Sequence, residues 1–152
     1  MSDPDLGYTV VSVPENLDPT QTEVLRAYFA YDKATWRLWT KNEGLDTMDT
    51  VATDPLLTEI KHNVTKRNGR LARPPLRMSV SEVSASDDGN GYAVAACFDK
   101  TQMTSVDAQG KDITDPKNQI LRPAITFMTQ DTNGIWRASD EKTGTPNTCS
   151  VN

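Results

Sequence analysis

The stretch DPTQTEVLRAYFAYDKATWRLWTK, residues 18–41, decides the fold class because it predicts one long amphipathic helix. Asp18 is suited to cap this helix, Pro19 to occupy its first position, and Gln21 to complete a capping box. One face collects residues at helical spacing: Leu25, Phe29, Asp32, Trp36 and Trp39. Four apolar neighbours widen this face: Val24, Tyr28, Tyr31 and Leu38. So wide an apolar stripe must be covered by another layer of the protein.

A second, shorter helix is predicted to follow. We expect it to begin at Thr53 or Asp54, with Pro55 in its first position. Asn68 and Gly69 are typical of the left-handed cap that ends a helix.

After residue 70 the apolar pattern changes to a period of two and predicts about four strands joined by hairpins. The four longer segments are 76–83, 92–98, 119–130 and 135–140, and a short further strand is predicted at 103–106. The phase slips between Val80 and Val83, which indicates a bulge, and Pro123 requires a sheet edge or a bulge. Helices followed by an antiparallel sheet predict an α+β fold, with the N-terminal helices packed on a curved sheet.

The domain organisation is predicted to be simple. Residues 1–17 are polar, contain Pro4 and Pro14, and are interpreted as an extended leader or tether, although 8–13 also suit a short strand. Residues 18–152 then form a single domain, which is the usual organisation for a chain of 152 residues.

The composition excludes several function classes. The net charge is −5 and the pI about 4.8, so we expect neither nucleic acid nor an anionic membrane surface as partner. No apolar run approaches the ~20 residues that span a bilayer. One histidine and two cysteines are too few for a structural zinc site, and no phosphate-binding loop or nucleophile elbow occurs. We therefore expect no metal and no cofactor.

The two cysteines allow two interpretations. Cys97 and Cys149 would be ordinary thiols in a cytosolic protein and one disulfide in an exported protein. A disulfide would tie down the polar tail 143–152, which otherwise has the composition of a fraying terminus.

The chain resembles the NTF2-like (cystatin-like, ketosteroid-isomerase-like) superfamily over about residues 18–150. The resemblance rests on VLRAYFAY at 24–31, ATDPLL at 52–57, AACFD at 95–99, VDAQGK at 106–111 and DTNGIWRA at 131–138. Within that superfamily the chain is similar to small actinobacterial envelope proteins, many of them lipoproteins. This resemblance implies a cone-shaped fold, a Cys97–Cys149 bridge and an extracytoplasmic location, although no signal segment is visible in residues 1–8.

Four residues of the first helix are candidate ligand contacts in such a cone: Tyr28, Tyr31, Asp32 and Trp36. Asp32 lies on the apolar face, where a carboxylate is costly unless it is hydrogen-bonded or paired. It would be a pocket acid with a raised pKa, or it would lie at the rim or pair with an arginine such as Arg122. The aromatic residues would stack on a ligand or simply belong to the core.

Three functions follow as hypotheses. The first is a non-enzymatic, exported binding domain of the cell envelope whose partner is a protein or a small apolar ligand. The second is a small isomerase or dehydratase that uses Asp32 as a general base. The third is an assembly module that forms a homodimer through its sheet.

Overall fold

The computed structural model describes all residues, 1–152, and its helices begin and end close to where the sequence predicts. Helix α1 spans Pro19–Lys41, and both hydrogen bonds of the Asp18–Gln21 capping box are present. Helix α2 spans Leu56–Arg67 and ends at Asn68, which has the left-handed conformation expected there. A 3-10 helix, Leu45–Thr50, connects the two. None of the helices is long and apolar enough to cross a membrane.

The strands form one five-stranded sheet and one two-stranded ribbon. In chain order they are β1 (Tyr8–Ser12), β2 (Leu71–Arg73), β3 (Leu76–Ala85), β4 (Tyr92–Asp99), β5 (Thr104–Val106), β6 (Leu121–Gln130) and β7 (Trp136–Thr143). The main sheet has the order β1-β3-β4-β6-β7, and β2 pairs with β5 in the ribbon. The α+β class is confirmed, and the helices pack against the sheet in the manner of the NTF2-like cone. The main sheet has five strands, where the sequence predicts about four.

The additional strand comes from residues 1–17, for which the sequence predicts an extended leader or tether. Residues 8–12 instead pair in parallel with β3, and Tyr8 lies opposite Leu76. Leu6 and Tyr8 are buried, at 3% and 1% exposure. The segment lacks a clear period of two because a short parallel edge strand receives its stabilisation from β3 and α1 rather than from its own alternation.

Two features of the strands shape the sheet. The predicted bulge in β3 is confirmed and lies between Val80 and Glu82. Pro123 does not mark an edge, because β6 lies between β4 and β7. The carbonyl of Pro123 accepts from the backbone nitrogen of Gly144, just beyond the end of β7. The nitrogen of Pro123, which carries no hydrogen, faces the same side and lies where the β6–β7 ladder ends. The proline therefore removes no ladder hydrogen bond.

The hydrophobic core lies between α1 and the inward face of the sheet, and it includes Tyr28, Met78, Val94 and Met128, all nearly inaccessible to solvent. On the opposite face of β4, Cys97 forms a disulfide with Cys149. The predicted pairing is confirmed. It fixes the C-terminal tail against the central strand of the sheet, and Val151 within that tail is buried.

Candidate functional site

A cavity of about 530 Å³ opens between the helices and one end of the sheet. Its walls come from α1, α2, the inward face of β4, β6 and β7, the β2–β5 ribbon and the loop before β6. This volume falls in the range that holds a small organic ligand, roughly 300–1,000 Å³. The ribbon contributes Ala72, Thr104 and Ser105 to the wall.

Three of the four predicted ligand contacts line this cavity. Tyr31, Asp32 and Trp36 all contribute to its wall and lie within about one and a half turns of α1. Tyr28 does not reach it, because its ring is buried in the core at 1% exposure. The sequence could not separate these cases, since all four residues fall on the same broad apolar face of the helix.

Asp32 is a buried acid held by a tyrosine from the edge strand. Its side chain is 3% exposed, and the Tyr8 hydroxyl donates a hydrogen bond of 2.5 Å to Oδ2. Burial raises the pKa of Asp32 to about 8, although donation from Tyr8 opposes this shift. Asp32 is neither at a rim nor paired with Arg122, since no arginine or lysine lies within ion-pair distance of it.

A second acid, Glu141, lies in the same cavity and was not singled out from the sequence. The Tyr31 hydroxyl donates a 2.9 Å hydrogen bond to its Oε2. Burial raises the pKa of Glu141, and the charges of Glu59 and Asp140 add to this effect against the hydrogen bond from Tyr31. The two buried acids also influence each other, because the charge of Glu141 contributes to the raised pKa of Asp32.

The inward position of Glu141 depends on a bulge that we did not predict from the sequence. Alternation from Ala138, which lies opposite Met128, would point Asp140 inward. The register between β6 and β7 shifts at this point, so Glu141 instead lies opposite the buried Thr126. Because β7 contains one extra residue at the bulge, the side chains beyond it point to the opposite faces from those that simple alternation predicts.

Three cations line another part of the cavity: Arg67 at the end of α2, Lys100 directly after β4, and Arg122 in β6. Arg67 stacks on the Trp39 ring, 4.9 Å from its centroid. Burial lowers the pKa of Lys100, and the charges of Arg122 and Arg67 lower it further. The cavity is thus lined by acids and by bases, and no group of three His, Cys, Asp or Glu side chains is arranged to hold a metal ion.

Known structures share the fold at low sequence identity. The crystal structure of the intermembrane space region of the chloroplast protein ARC6 aligns with a TM-score of 0.57 and 15% identity, over 84% of this chain and 97% of that chain. A ketosteroid isomerase-like protein from Erwinia carotovora atroseptica aligns with a TM-score of 0.57 and 13% identity, over 84% and 96% of the two chains. No protein-family model and no curated protein matches the sequence. These likenesses show the NTF2-like fold, and the fold is compatible with binding a ligand or a protein.

Proposed function

We propose that this chain is a non-enzymatic binding domain of the cell envelope that holds a small polar ligand in the cavity between its helices and its sheet. The observation that carries the proposal is the cavity itself, because it is large enough for an organic molecule and has polar groups directed into it.

The lining favours a polar ligand over the small apolar ligand that the sequence suggested. Only 9 of the 24 lining residues are hydrophobic. Trp36, Trp39 and Phe98 supply flat apolar surface, while acids and bases supply the groups that would orient a ligand. A purely apolar molecule would bury these polar groups without partners, which costs free energy.

The disulfide supports the cell-envelope part of the proposal. Cys97 and Cys149 form a disulfide and no free cysteine remains. Disulfides of this structural kind persist in oxidising compartments and are rare in the cytosol. The resemblance to small actinobacterial envelope proteins, which the sequence suggests, also implies an extracytoplasmic location.

The experiment is a ligand screen with a blocked cavity. Asn63 lines the cavity from α2, so the larger side chain of Asn63→Trp should occupy part of it. His62, the next residue, is exposed and does not line it, so His62→Trp is the matched control. A panel of small polar compounds is screened by thermal unfolding, and calorimetry gives the affinity of each compound that binds. We expect compounds that bind wild type and the control but not Asn63→Trp. Compounds that bind all three proteins equally, or none that bind at all, would contradict the proposal.

A second candidate is an isomerase- or dehydratase-type enzyme that uses Asp32. A buried acid whose pKa lies at about 8 exchanges protons readily near neutral pH. The test incubates each bound ketone or ester in D₂O and follows deuterium incorporation by NMR. Incorporation that disappears in Asp32→Asn supports an enzyme, whereas unchanged ligands support the binding domain.

The homodimer remains a prediction, and one feature of the outward face of the sheet bears on it. On the outward face of the sheet Ile125 is 43% exposed, and it lies opposite Ala95 of β4. Light scattering should show a dimer that Ile125→Asp dissociates. A monomer at all concentrations would remove this hypothesis.

A further inference from the structure

The charged side chains that line the cavity are four acids, Asp32, Glu59, Asp115 and Glu141, and three bases, Arg67, Lys100 and Arg122. Asp32 and Glu141 lie where α1 faces β7, and each is influenced by other acids. Lys100 is influenced by Arg122 and Arg67, and no acid contributes to its shift. Three ion pairs occur in the protein, and all of them lie outside this cavity: Arg37–Asp3, Arg77–Asp99 and Arg137–Asp131.

The three cations therefore share one region of the cavity without a protein counterion within 4.0 Å. Like charges in a partly buried site repel each other more strongly than in water. In native proteins, buried charges are normally paired with an opposite charge. The missing counterion is what an anionic ligand would supply.

The protein leaves hydrogen-bonding capacity free on these cations. Arg67 Nη2 donates a long bond of 3.4 Å to the carbonyl of Trp39, while its Nε is buried with no partner. Arg122 donates through Nη1 to the carbonyl of Gly144 at 3.1 Å. The Lys100 backbone is fixed by a 3.0 Å bond to the carbonyl of Ile120. Lys100 thus begins at a rigid position beside β6, and its ammonium group has three donors to offer.

Arg122 and Lys100 are held on the cavity side by the sheet. Arg122 lies opposite the buried Phe98 in the β4–β6 pairing and two residues before the buried Ala124. It therefore occupies the inward face of β6. Lys100 and Arg122 are thus attached to segments whose backbones are hydrogen-bonded to each other, which fixes their relative positions. This is expected of a preorganised anion site.

We propose that the ligand of this cavity is an organic anion, and that its carboxylate or phosphate group binds among Lys100, Arg122 and Arg67. The proposal rests on the proposed function, since it assigns a chemical class to the ligand of the same cavity. The uncharged part of the anion then extends along Trp36 and Phe98, whose rings lie 6.2 Å apart, toward Asp32. Asp32 would not repel the anion while it holds its proton, as burial favours.

The experiment compares three probes with the same ring: phenyl phosphate, benzoate and benzamide. Calorimetry measures the affinity of each for wild type, Lys100→Gln, Arg122→Gln and the control Lys61→Gln, whose residue lies exposed on α2 and outside the cavity. We expect the two anions to bind at least tenfold more tightly than benzamide. Each cavity variant should weaken the anions about tenfold, the control should not, and added salt should weaken anion binding in wild type. A preference for phenyl phosphate or for benzoate identifies the anionic group.

Two other outcomes would refute the anion site alone or both proposals. Benzamide binding as tightly as the anions, with no loss in Lys100→Gln or Arg122→Gln, refutes the anion site and leaves the proposed binding cavity intact. Anions that bind the Asn63→Trp variant as well as wild type lie outside the cavity, which refutes both proposals. Circular dichroism and thermal unfolding confirm that each variant is folded, so a weakened affinity is not a loss of structure.

Discussion

Replacing Asp32 by asparagine should remove most of the pH dependence of stability near neutral pH. Burial raises the pKa of Asp32 from 3.8 to about 8. Between these two values the unfolded chain has released the proton and the folded chain keeps it. The free energy of unfolding of wild type therefore falls as pH rises from about 4 to about 8, and the loss is complete above the folded pKa.

The magnitude follows from the size of the shift. Each pKa unit corresponds to about 1.4 kcal/mol, so the change from 3.8 to about 8 amounts to roughly 6 kcal/mol. That is a large part of the total stability of a small domain, typically about 5–15 kcal/mol. Asparagine has the same shape as the protonated acid, can accept from Tyr8 and cannot ionise. We expect Asp32→Asn to match wild type near pH 4 and to exceed it by several kcal/mol at pH 8.

Urea unfolding at pH 5, 6, 7 and 8 measures this difference. Glu141 also has a raised pKa, so a smaller slope of the same sign should remain in Asp32→Asn. The control is Asp54→Asn. The exposed Asp54 accepts from the hydroxyl and from the backbone of Thr58, and both bonds lower its pKa, so this variant should lose stability and keep the wild-type slope. Equal slopes in wild type and Asp32→Asn, with Asp32 titrating near 4 by NMR, would refute the reasoning.

Three further predictions concern the parts that hold the site together. Reduction of Cys97–Cys149, which closes a loop with a sequence separation of 52, should lower stability by about 4 kcal/mol; an unchanged melt with two blockable thiols would contradict the bridge. Tyr8→Phe should lower the free energy of unfolding by about 1–3 kcal/mol, because it removes the donor to the buried Asp32. It should also raise the pKa of Asp32 further, which NMR titration measures. An unchanged pKa would show that this hydrogen bond is unimportant. Deleting residues 1–17 removes strand β1 and should abolish cooperative thermal unfolding; a fully stable truncated chain would restore the interpretation of this segment as a leader.

Local patterns in the sequence predicted the helices and most strands. The capping box at Asp18 and the Asn68 cap specify their helix ends through short-range hydrogen bonds. The period of two identified the strand at 92–98, and the slip after Val80 identified the bulge in the neighbouring strand β3. Such features depend on residues a few positions apart, so a single sequence reveals them.

The candidate site was predicted only in part. The helical spacing placed Tyr31, Asp32 and Trp36 on one face, and all three line the cavity. The same spacing included Tyr28, which packs in the core instead. The elements packed against α1 decide which residues of its broad apolar face lie in the core and which line the cavity. The sequence of α1 alone does not show this.

What the sequence determined by itself is the α+β class, the order of the elements and the presence of an acid on the buried face of α1. What only the tertiary structure decided is the environment of that acid. Tyr8 reaches Asp32 because residues 8–12 add to β3, and Glu141 turns inward because the β6–β7 register shifts by one residue. Lys100 and Arg122 meet because β4 and β6 are paired. The physical reason is that local spacing fixes helices and strands, whereas the burial and pKa of a charged group depend on residues distant in the chain that folding brings beside it.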